Sequence, residues 1–376
     1  MRSILQDRLF ANGYHSPIRT ESIKYIGSKL RILPYIRDIT QKIGAKKVFD
    51  GFTGSTRVAQ LFAQIGCDVV ASDRSKWSEV LAKCYLRHHD DHKISILIDE
   101  LNNLNPVDGW FTEHYGGDSQ LSYSNQQKKP WQKHNTRKLD AIRDRISDMA
   151  LEPEEEAVML TSLMMALDRV DNTLGHFVSY LNGWSARSYQ TLELKKPLYI
   201  QNSGQHTILR GDIFDIIEQL DEVDLAYLDP PYGSNNEKMP PSRVRYASYY
   251  HIWTTVCLND KPKLFGKAMR RIDSRDSASG SIFEEFRRGE SGQFLAVEAI
   301  ENLIRSVPAN YILLSYSSGG RATADELMEV LESAGRIQQV LELEYKRNVM
   351  ASMKWTDEWI RPKQNRNIEY LFLLKK

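Results

Sequence analysis

The 376 residues contain 50 Lys or Arg and 49 Asp or Glu, and 41% of the chain is hydrophobic. This composition is close to that of soluble globular proteins and argues against a disordered chain. The net charge of +1 gives no overall positive field, so a nucleic acid partner would have to be bound by local basic patches. No apolar run approaches the ~20 residues that span a bilayer. Met1 to Asn12 also lacks the apolar core of a signal peptide, so we expect a cytoplasmic protein.

The first ordered elements form a βαβ pattern. Val48-Phe49 predicts a short strand that leads into the turn from Asp50 to Thr56. An amphipathic helix is expected from Arg57 to Ile65, and Cys67 to Asp73 predicts a second strand that ends in an acid. Strand, glycine turn, helix, strand and acid are typical of the first unit of a doubly wound α/β sheet.

The glycine turn indicates a cofactor site. Gly51 and Gly54 let the backbone pass close to a ligand at the carboxyl end of a strand. Asp73, at the end of the next strand, suits a carboxylate that accepts hydrogen bonds from ribose hydroxyls. Only two glycines of the dinucleotide pattern are present, which favours a nucleoside ligand without a diphosphate, such as S-adenosylmethionine. An ordinary structural turn is the alternative interpretation.

The middle of the chain predicts a structured insertion. Helices are expected at Trp77 to His88, Lys138 to Met149 and Glu154 to Arg169, with a polar stretch from Asn102 to Asn135 between the first two.

Further strands are expected in the second half of the chain. Val340 to Tyr345 and Ile368 to Leu374 could pair as an antiparallel edge. The other predicted strands are Thr207 to Arg210 (followed by Gly211-Asp212), Leu225 to Leu228 (followed by Asp229) and Tyr311 to Ser317. A second polar insertion runs from Gly233 to about Gln293.

The sequence Asp229-Pro230-Pro231-Tyr232 follows a predicted strand and is the most specific motif of the chain. The two prolines fix the backbone and remove two donors, which leaves carbonyl groups free to accept hydrogen bonds. A carboxylate and a rigid proline carbonyl match the two hydrogens of an amine, and Tyr232 offers a flat face to a base. The motif therefore predicts methylation of a planar amine such as adenine, whose amine these acceptors would make more nucleophilic. A rigid structural turn is the alternative.

A third motif precedes the glycine turn, from Lys24 to Ile36. Gly27 permits a bend before a helix, and helix N-termini attract carboxylates. Tyr25 and Lys29 are placed to pack on a cofactor and to pair with its carboxylate. A solvated basic helix face is the alternative.

These three segments, in this order, resemble the Dam-type (alpha-group) adenine-N6 DNA methyltransferases. The resemblance extends to Tyr249-Tyr250-His251-Ile252-Trp253 and to Asn367 through Leu373, and it leaves most of both insertions uncovered. The family often has glycine where this chain has Thr56, and proline where it has Gly51.

The resemblance implies a Rossmann-like methyltransferase core, with a mostly parallel sheet, an antiparallel C-terminal edge and an inserted target-recognition region. It also implies S-adenosylmethionine as cofactor and a flipped-out adenine in double-stranded DNA as substrate, in a bacterial, DNA-associated enzyme. The catalytic loop would be Asp229, Pro230, Pro231 and Tyr232. With neighbouring residues of the same motifs, the predicted cofactor-binding set is Tyr25, Gly27, Lys29, Asp50, Gly51, Phe52, Gly54, Ser55, Asp73, Asp212 and Asp229.

The domain hypothesis assigns 1–88 and 200–376 to the catalytic core, 89–199 to target recognition, and 233–293 to a mobile insertion near the target base. Gln120 to Ala150 has a local excess of four positive charges, which suits phosphate contacts. Two further segments, 171–177 and 182–189, are rich in amide, aromatic and arginine side chains, the types that read base edges. The predicted DNA-binding residues are Lys128, Lys129, Lys133, Arg137, Asn172, His176, Asn182, Trp184 and Arg187.

Three other hypotheses remain open. The target could be RNA or a protein glutamine, although the glutamine enzymes usually open the loop with Asn instead of Asp. A DNA-binding relative without catalysis is the third, and the four implied cofactor contacts at Tyr25, Lys29, Asp73 and Asp229 argue against it.

A metal role for His176 or His251 is not expected, because neither has a second ligand at a metal-like spacing. A restriction endonuclease acting on the same site is a possible partner.

Overall fold

The structure, a computed structural model, describes residues 17–118, 128–199, 204–233, 246–345 and 367–376. Every strand predicted from the sequence is present, with bounds that differ by at most a few residues. The strands are β1 (Lys47–Asp50), β2 (Asp68–Asp73), β3 (Gly116–Gly117), β4 (Trp131–Gln132), β5 (Thr207–Arg210), β6 (Val223–Leu228), β7 (Leu264–Phe265), β8 (Arg270–Arg271), β9 (Ala309–Ser317), β10 (Arg336–Tyr345) and β11 (Asn367–Lys375).

The helices of the described ranges connect these strands or form a layer beside them. They are α1 (Leu33–Ile43), α2 (Arg57–Gln64), α3 (Lys76–Leu86), α4 (Asp91–Asn102), α5 (Trp110–Tyr115), α6 (Lys133–Asp148), α7 (Pro153–Arg169), α8 (Ile213–Ile217), α9 (Tyr246–Tyr249), α10 (His251–Leu258), α11 (Asp276–Ser279), α12 (Leu295–Ser306) and α13 (Ala324–Ala334). None of these helices is long and apolar enough to cross a membrane.

The main sheet has seven strands in the order β10-β11-β9-β6-β1-β2-β5. The pairs β1–β2, β1–β6, β2–β5 and β6–β9 are parallel, whereas β11 runs antiparallel to both β9 and β10. This confirms the predicted mostly parallel sheet with an antiparallel C-terminal edge. The carboxyl ends of β2, β1 and β6 consequently lie side by side.

Alternate residues of the strands face opposite layers, as the period of two requires. Val48, Val69 and Leu225 pack with α1 and α2 on one face. On the other face, Phe49 and Ala226 pack with α8, α12 and α13. Burial on both faces explains why these strands read as continuous apolar runs in the sequence.

The inserted helices α4, α5, α6 and α7 share one hydrophobic cluster with α3 and α10. The fully buried rings of Trp131 and Trp253 lie 6.2 Å apart in it, and they come from the two insertions. Within the described part of 233–293, α10 therefore packs against the first insertion. The division into domains and the mobility of 233–293 stay predictions.

The sequence interpretation missed α4 and α5 and began α6 five residues too late, at Lys138 instead of Lys133. Asn135 and Thr136 in the first turns of α6 are fully buried, and Asn135 donates to the carbonyl of Gln190 at 2.9 Å. Polar residues thus form part of the buried face of α6, and a hydrophobic pattern cannot reveal such a face.

Candidate active site

Three acids converge at the carboxyl edge of the sheet. Asp50 ends β1, Asp73 ends β2 and Asp229 follows β6, and these three strands are neighbours. Ligands of open α/β sheets bind at this edge, because the strands end there and the following turns leave a crevice. The side chains line one cavity of about 630 Å³.

The cavity collects every residue predicted for the cofactor and for catalysis. Its lining includes Tyr25, Gly27, Lys29, Asp50, Gly51, Phe52, Gly54, Ser55, Asp73, Asp212, Asp229, Pro230, Pro231 and Tyr232. These residues span more than 200 positions of the sequence, and the fold brings them to one place. Their individual roles stay predictions.

The glycine turn fixes the orientation of Asp73. The backbone N–H of Gly54 donates to Asp73 Oδ2 at 2.9 Å, and that of Ser75 donates to Asp73 Oδ1 at 2.7 Å. Burial raises the pKa of Asp73, while these two N–H groups oppose the increase. The carboxylate is thus held at the cavity wall from both sides.

Thr56 closes the turn in a left-handed conformation, with φ 65° and ψ 3°. A β-branched residue is rarely found there, and the strain costs about 1–3 kcal/mol. The glycine common at this position in the family would adopt the same conformation without strain. Thr56 Oγ1 accepts a hydrogen bond from Gln60 Nε2 at 2.8 Å, which offsets part of the cost. Thr56 therefore adopts a conformation that a glycine would adopt without strain.

An aromatic wall surrounds Tyr25. Its ring stacks on Tyr250 at 4.8 Å and lies 5.8 Å from Trp77 and 6.0 Å from Tyr246. The Tyr250 hydroxyl accepts a hydrogen bond from the backbone N–H of Ile26 at 2.7 Å. Trp77, Tyr246 and Tyr250 line the cavity but were absent from the predicted site. Of these three, only Tyr250 lies in the Tyr-Tyr-His-Ile-Trp segment that resembles the family.

A second aromatic group surrounds Phe283. Phe283 packs edge-on against Phe52 at 5.3 Å and stacks on Phe214 at 5.9 Å. Phe283 belongs to the second polar insertion, and residues 281–284 line the cavity. The insertion therefore supplies part of the wall of this cavity.

Asp50 is a buried carboxylate that lacks a full partner. The residue is 1% exposed, and neither carboxylate oxygen has a hydrogen bond of ordinary geometry with a described residue. Burial raises its pKa well above the usual value, with Asp229 and Asp73 adding to the increase and the N–H groups of Phe52 and Ala59 lowering it. A buried unpaired carboxylate beside two others favours a ligand with a positive group.

The Asp-Pro-Pro-Tyr loop contacts a buried ion pair. Lys29 Nζ lies 3.0 Å from Asp229 Oδ1 and 2.6 Å from Glu369 Oε1. Burial lowers the pKa of Lys29, but the two carboxylates more than offset this and raise it above its usual value. The predicted pairing of Lys29 with a cofactor carboxylate is not favoured by this arrangement, because the ammonium already has two partners.

Tyr232 lies in the same cluster. Its hydroxyl lies 2.5 Å from Asp229 Oδ1 and 2.8 Å from Glu369 Oε1, can donate to one of them at a time, and also contacts Lys29 Nζ. Burial and the two carboxylates raise the pKa of Tyr232 well above the usual value, so the hydroxyl keeps its proton. Burial also raises the pKa of Asp229 to about 6, with Lys29 opposing the increase and Glu369 adding to it.

The predicted DNA-binding residues fall into two groups. Lys133, Arg137 and Asn182 are exposed, and so is Lys128, which contacts Asn182 Oδ1. Trp184 is half-buried, with its ring against Gly117.

The other predicted DNA-binding residues stabilise the protein itself. Asn172 and His176 are buried, and Asn172 Oδ1 accepts from the backbone N–H of Ser185 at 2.8 Å. Arg187 pairs with Asp171 at 2.8 Å, and Lys129 donates to the carbonyl of His114. Direct contact of Asn172 or His176 with DNA is therefore not supported in this conformation, because both side chains lie inside the inserted layer.

The described residues contain no group of three His, Cys, Asp or Glu side chains that could hold a metal ion. His251 is buried, with Nε2 3.1 Å from the carbonyl oxygen of Phe177, and burial lowers its pKa to about 3. The imidazole is therefore neutral and stabilises the packing of α10.

Together, the parallel sheet with its antiparallel edge and the acidic, aromatic cavity at the strand ends define a Rossmann-like methyltransferase. Residues 25–306 match the family described as D12 class N6 adenine-specific DNA methyltransferase, and the chain belongs to this family. The predicted family, fold class and enzyme class are thereby confirmed.

Named relatives agree with this assignment. Modification methylase StsI of Streptococcus sanguinis is 28% identical over 328 residues, which cover 82% of this chain and 46% of StsI. Type II methyltransferase M.NlaIII of Neisseria lactamica is 26% identical over 366 residues, which cover 94% of this chain and 99% of M.NlaIII. Modification methylase LlaI of Lactococcus lactis subsp. lactis is 24% identical over 330 residues, covering 82% of this chain and 48% of LlaI. The chain thus spans about half the length of StsI and LlaI and nearly all of M.NlaIII.

Proposed function

We propose that this protein transfers the methyl group of S-adenosylmethionine to the N6 amine of an adenine at a specific site in double-stranded DNA. The observation that carries the proposal is the position of Asp229. Its carboxylate lies at the cavity wall beside Asp50 and Asp73, in a rigid Asp-Pro-Pro-Tyr loop that can accept both hydrogens of an amine.

The cavity fits S-adenosylmethionine in charge and shape. Asp50 is suited to the positive ammonium or sulfonium group, because it is buried and lacks a full partner. Asp73 is held where a ribose would lie, and the Tyr25 wall offers faces to an adenine ring. Three carboxylates at one edge would repel a diphosphate, which argues against a dinucleotide. S-adenosylmethionine supplies an activated methyl group when it is bound.

The residues of the loop prepare the amine for attack. Among the described residues, the hydrogen bonds to Asp229 end on Oδ1, and the side chain is 18% exposed, so Oδ2 can accept an amine hydrogen. A carbonyl of Pro230 or Pro231 can accept the other. These two bonds localise the nitrogen lone pair towards the methyl group. Asp229 acts as the carboxylate, so we expect transfer to fall as the pH is lowered through about 6.

The target adenine must leave the duplex to reach this loop, at a cost of a few kcal/mol. In this proposal Tyr232 supplies a face for the extruded base, the role that the sequence predicts for it. In the structure its hydroxyl is bound to the Lys29 cluster, so the ring already lies beside the acceptor carboxylate.

The hairpin β7–β8 extends the basic surface proposed to bind the DNA backbone. Lys261, Lys263 and Lys267 are exposed, and none has an acidic partner among the side chains that the structure describes. In contrast, the charge of Arg271 is neutralised by Asp260 at 2.7 Å and by Asp273 at 2.8 Å. Between Asp260 and Glu290 the sequence has eight Lys or Arg and six acids, and this excess of two does not show where the exposed positive charges lie.

The hairpin joins the cavity to the inserted layer. Arg271 lines the cavity, and the Tyr115 and Tyr180 hydroxyls donate to the carbonyls of Met269 and Ala268, each at 2.9 Å. A duplex bound along the inserted layer would thus reach both the hairpin and the catalytic loop. The DNA-contacting proposal accordingly includes Lys128, Lys133, Arg137, Asn182 and Trp184 together with the hairpin lysines.

The relatives named modification methylases support a role in DNA modification. We place the enzyme in the cytoplasm on DNA, and we propose a nuclease directed at the same site as its partner.

A direct test is transfer of tritium from labelled S-adenosylmethionine to duplex DNA, with RNA as competitor. We expect label in DNA that RNA does not displace. Label in RNA alone would contradict the DNA target, and a wild-type protein that labels no nucleic acid would contradict the activity itself.

A further inference from the structure

Glu369 lies outside every residue set that the sequence predicted for the site. It belongs to β11, at the antiparallel edge of the sheet, 140 positions after Asp229 in the chain. The residue is 8% exposed. Burial of a carboxylate is costly unless the group is paired, and Glu369 is paired within the catalytic cluster.

Three potential donors lie within hydrogen-bond distance of one oxygen of Glu369. Lys29 Nζ lies 2.6 Å from Glu369 Oε1, the Tyr232 hydroxyl 2.8 Å and the Ser315 hydroxyl 2.7 Å. Ser315 is fully buried on β9, the neighbouring strand, and gives the carboxylate a fixed support from the sheet. Through these contacts, Glu369 on the last strand connects Tyr232 of the catalytic loop with Lys29 of the N-terminal motif.

The geometry shows what Glu369 prevents. Lys29 lies closer to Glu369 than to Asp229, at 2.6 Å against 3.0 Å. An ammonium has three donors, and without Glu369 it could turn wholly to Asp229 and cover both carboxylate oxygens. Tyr232 would likewise have Asp229 as its remaining acceptor in the cluster. The oxygen proposed to accept the substrate amine would then be occupied.

We propose that Glu369 is a positioning residue of the methyl transfer, which holds Lys29 and Tyr232 so that one oxygen of Asp229 stays free for the target amine. This inference rests on the proposed function and assigns a role to a residue that acts through others. It accounts for the burial of a carboxylate on the last strand.

The charge of Glu369 also acts on Asp229. Two carboxylates share one ammonium, and Glu369 raises the pKa of Asp229 whereas Lys29 lowers it. Removal of the negative charge is therefore expected to lower the pKa of Asp229. The charged and titratable groups facing Asp229 are Lys29, Glu369, Tyr232, Asp50, Tyr25, Tyr227 and Tyr246.

The test compares E369A and E369Q with E342Q in the full-length protein. Glu342 is exposed on β10, so its change to Gln makes the same chemical substitution outside the cluster. Steady-state tritium transfer to DNA, its pH profile and the Kd of S-adenosylmethionine by calorimetry are measured for each protein.

We expect E369A to lower kcat about 10–100-fold, as misplacement of catalytic groups does, with the Kd of S-adenosylmethionine little changed. E369Q keeps an acceptor oxygen, so it should recover part of kcat, with the acid limb of its pH profile shifted below that of the wild type. E342Q should match the wild type throughout. If E369A fails to fold, the pH profile of E369Q still tests the positioning role of Glu369.

Wild-type kcat and pH profile in E369A, or in E369Q if E369A does not fold, would overturn the proposal. So would an equal loss of cofactor affinity in both variants, since that result indicates a structural role. Measurement of the wild-type protein in the same series distinguishes failure of the proposed function from failure of the role proposed for Glu369. Absence of transfer by the wild type counts against the proposed function, whereas wild-type transfer with unaffected variants counts against Glu369 alone.

Discussion

The carboxyl edge of the sheet and the inserted helical layer are both rich in polar side chains, but these groups are satisfied differently. At the sheet edge, Asp50 is buried without a full partner and Asp229 keeps an oxygen at the cavity surface. In the inserted layer, Asn172 and Arg187 are bound to their own loop. Asp50 and Asp229 therefore keep acceptor oxygens available to a ligand, whereas Asn172 and Arg187 use their polar groups to stabilise the loop.

The largest expected effect comes from Asp229. We expect Asp229→Asn to lower kcat for DNA methylation by roughly 10²–10⁴-fold, because the amide is a weaker proton acceptor at the amine. The Kd of S-adenosylmethionine, measured by calorimetry, should change little. Asp224→Asn, a conservative change at the other end of β6, is the matched control. A D229N enzyme with wild-type kcat would contradict the role of the loop.

Asp73 should affect cofactor binding more than turnover. Asp73→Ala removes the carboxylate held by Gly54 and Ser75, and loss of charged hydrogen bonds to a ribose should weaken S-adenosylmethionine binding about 10–100-fold. Asp215→Ala changes an exposed acid of the nearby α8 that does not line the cavity. Equal Kd values in the two variants would exclude Asp73 from the cofactor site.

The hairpin lysines should affect DNA affinity and its salt dependence. A triple change of Lys261, Lys263 and Lys267 to Ala should reduce the slope of log K against log salt by roughly 0.9 for each phosphate that the variant no longer neutralises. The Kd for duplex DNA is measured by fluorescence anisotropy over a salt series. Lys42→Ala, near the opposite, amino end of β1, is the control. An unchanged slope would remove the hairpin from the DNA surface.

The smallest expected effects distinguish buried polar residues from exposed polar residues in the inserted layer. Asn172→Ala should lower the free energy of unfolding by about 1–3 kcal/mol, because Ser185 loses its hydrogen-bond acceptor. Asn182→Ala, at an exposed position, should change stability by less than about 0.5 kcal/mol while weakening DNA binding. Denaturant unfolding and anisotropy measure the two quantities. Loss of DNA affinity in N172A at full stability would reverse this comparison.

The meeting of the three acids at the carboxyl edge of the sheet could be predicted, because short motifs place each of them at the end of a strand. A strand followed by a glycine turn, or by Asp-Pro-Pro-Tyr, places its side chains at the strand end wherever the strand lies in the sheet. Thus Asp50, Asp73 and Asp229 meet in one cavity as expected. Glu369 lies in the segment 367–373 that resembles the family, but no local motif indicated that it would contact the Asp229 loop, because this contact depends on a strand pairing between distant segments. Sequence position also does not show that Asn172 would be buried.

The strand bounds illustrate the same distinction. Thr207–Arg210 was predicted to the residue from its apolar pattern and following glycine. The start of α6 was missed because buried polar residues form its first turns. Patterns based on hydrophobicity therefore capture the sheet better than the inserted layer.

The central claim is the identity of the methylated atom. Duplex DNA treated with the wild-type protein and S-adenosylmethionine is digested to nucleosides, and the modified nucleoside is identified by mass spectrometry against standards. The account predicts N6-methyladenine, formed by the wild type and strongly reduced for D229N. Methylated cytosine as the product, or N6-methyladenine formed equally by D229N, would contradict it.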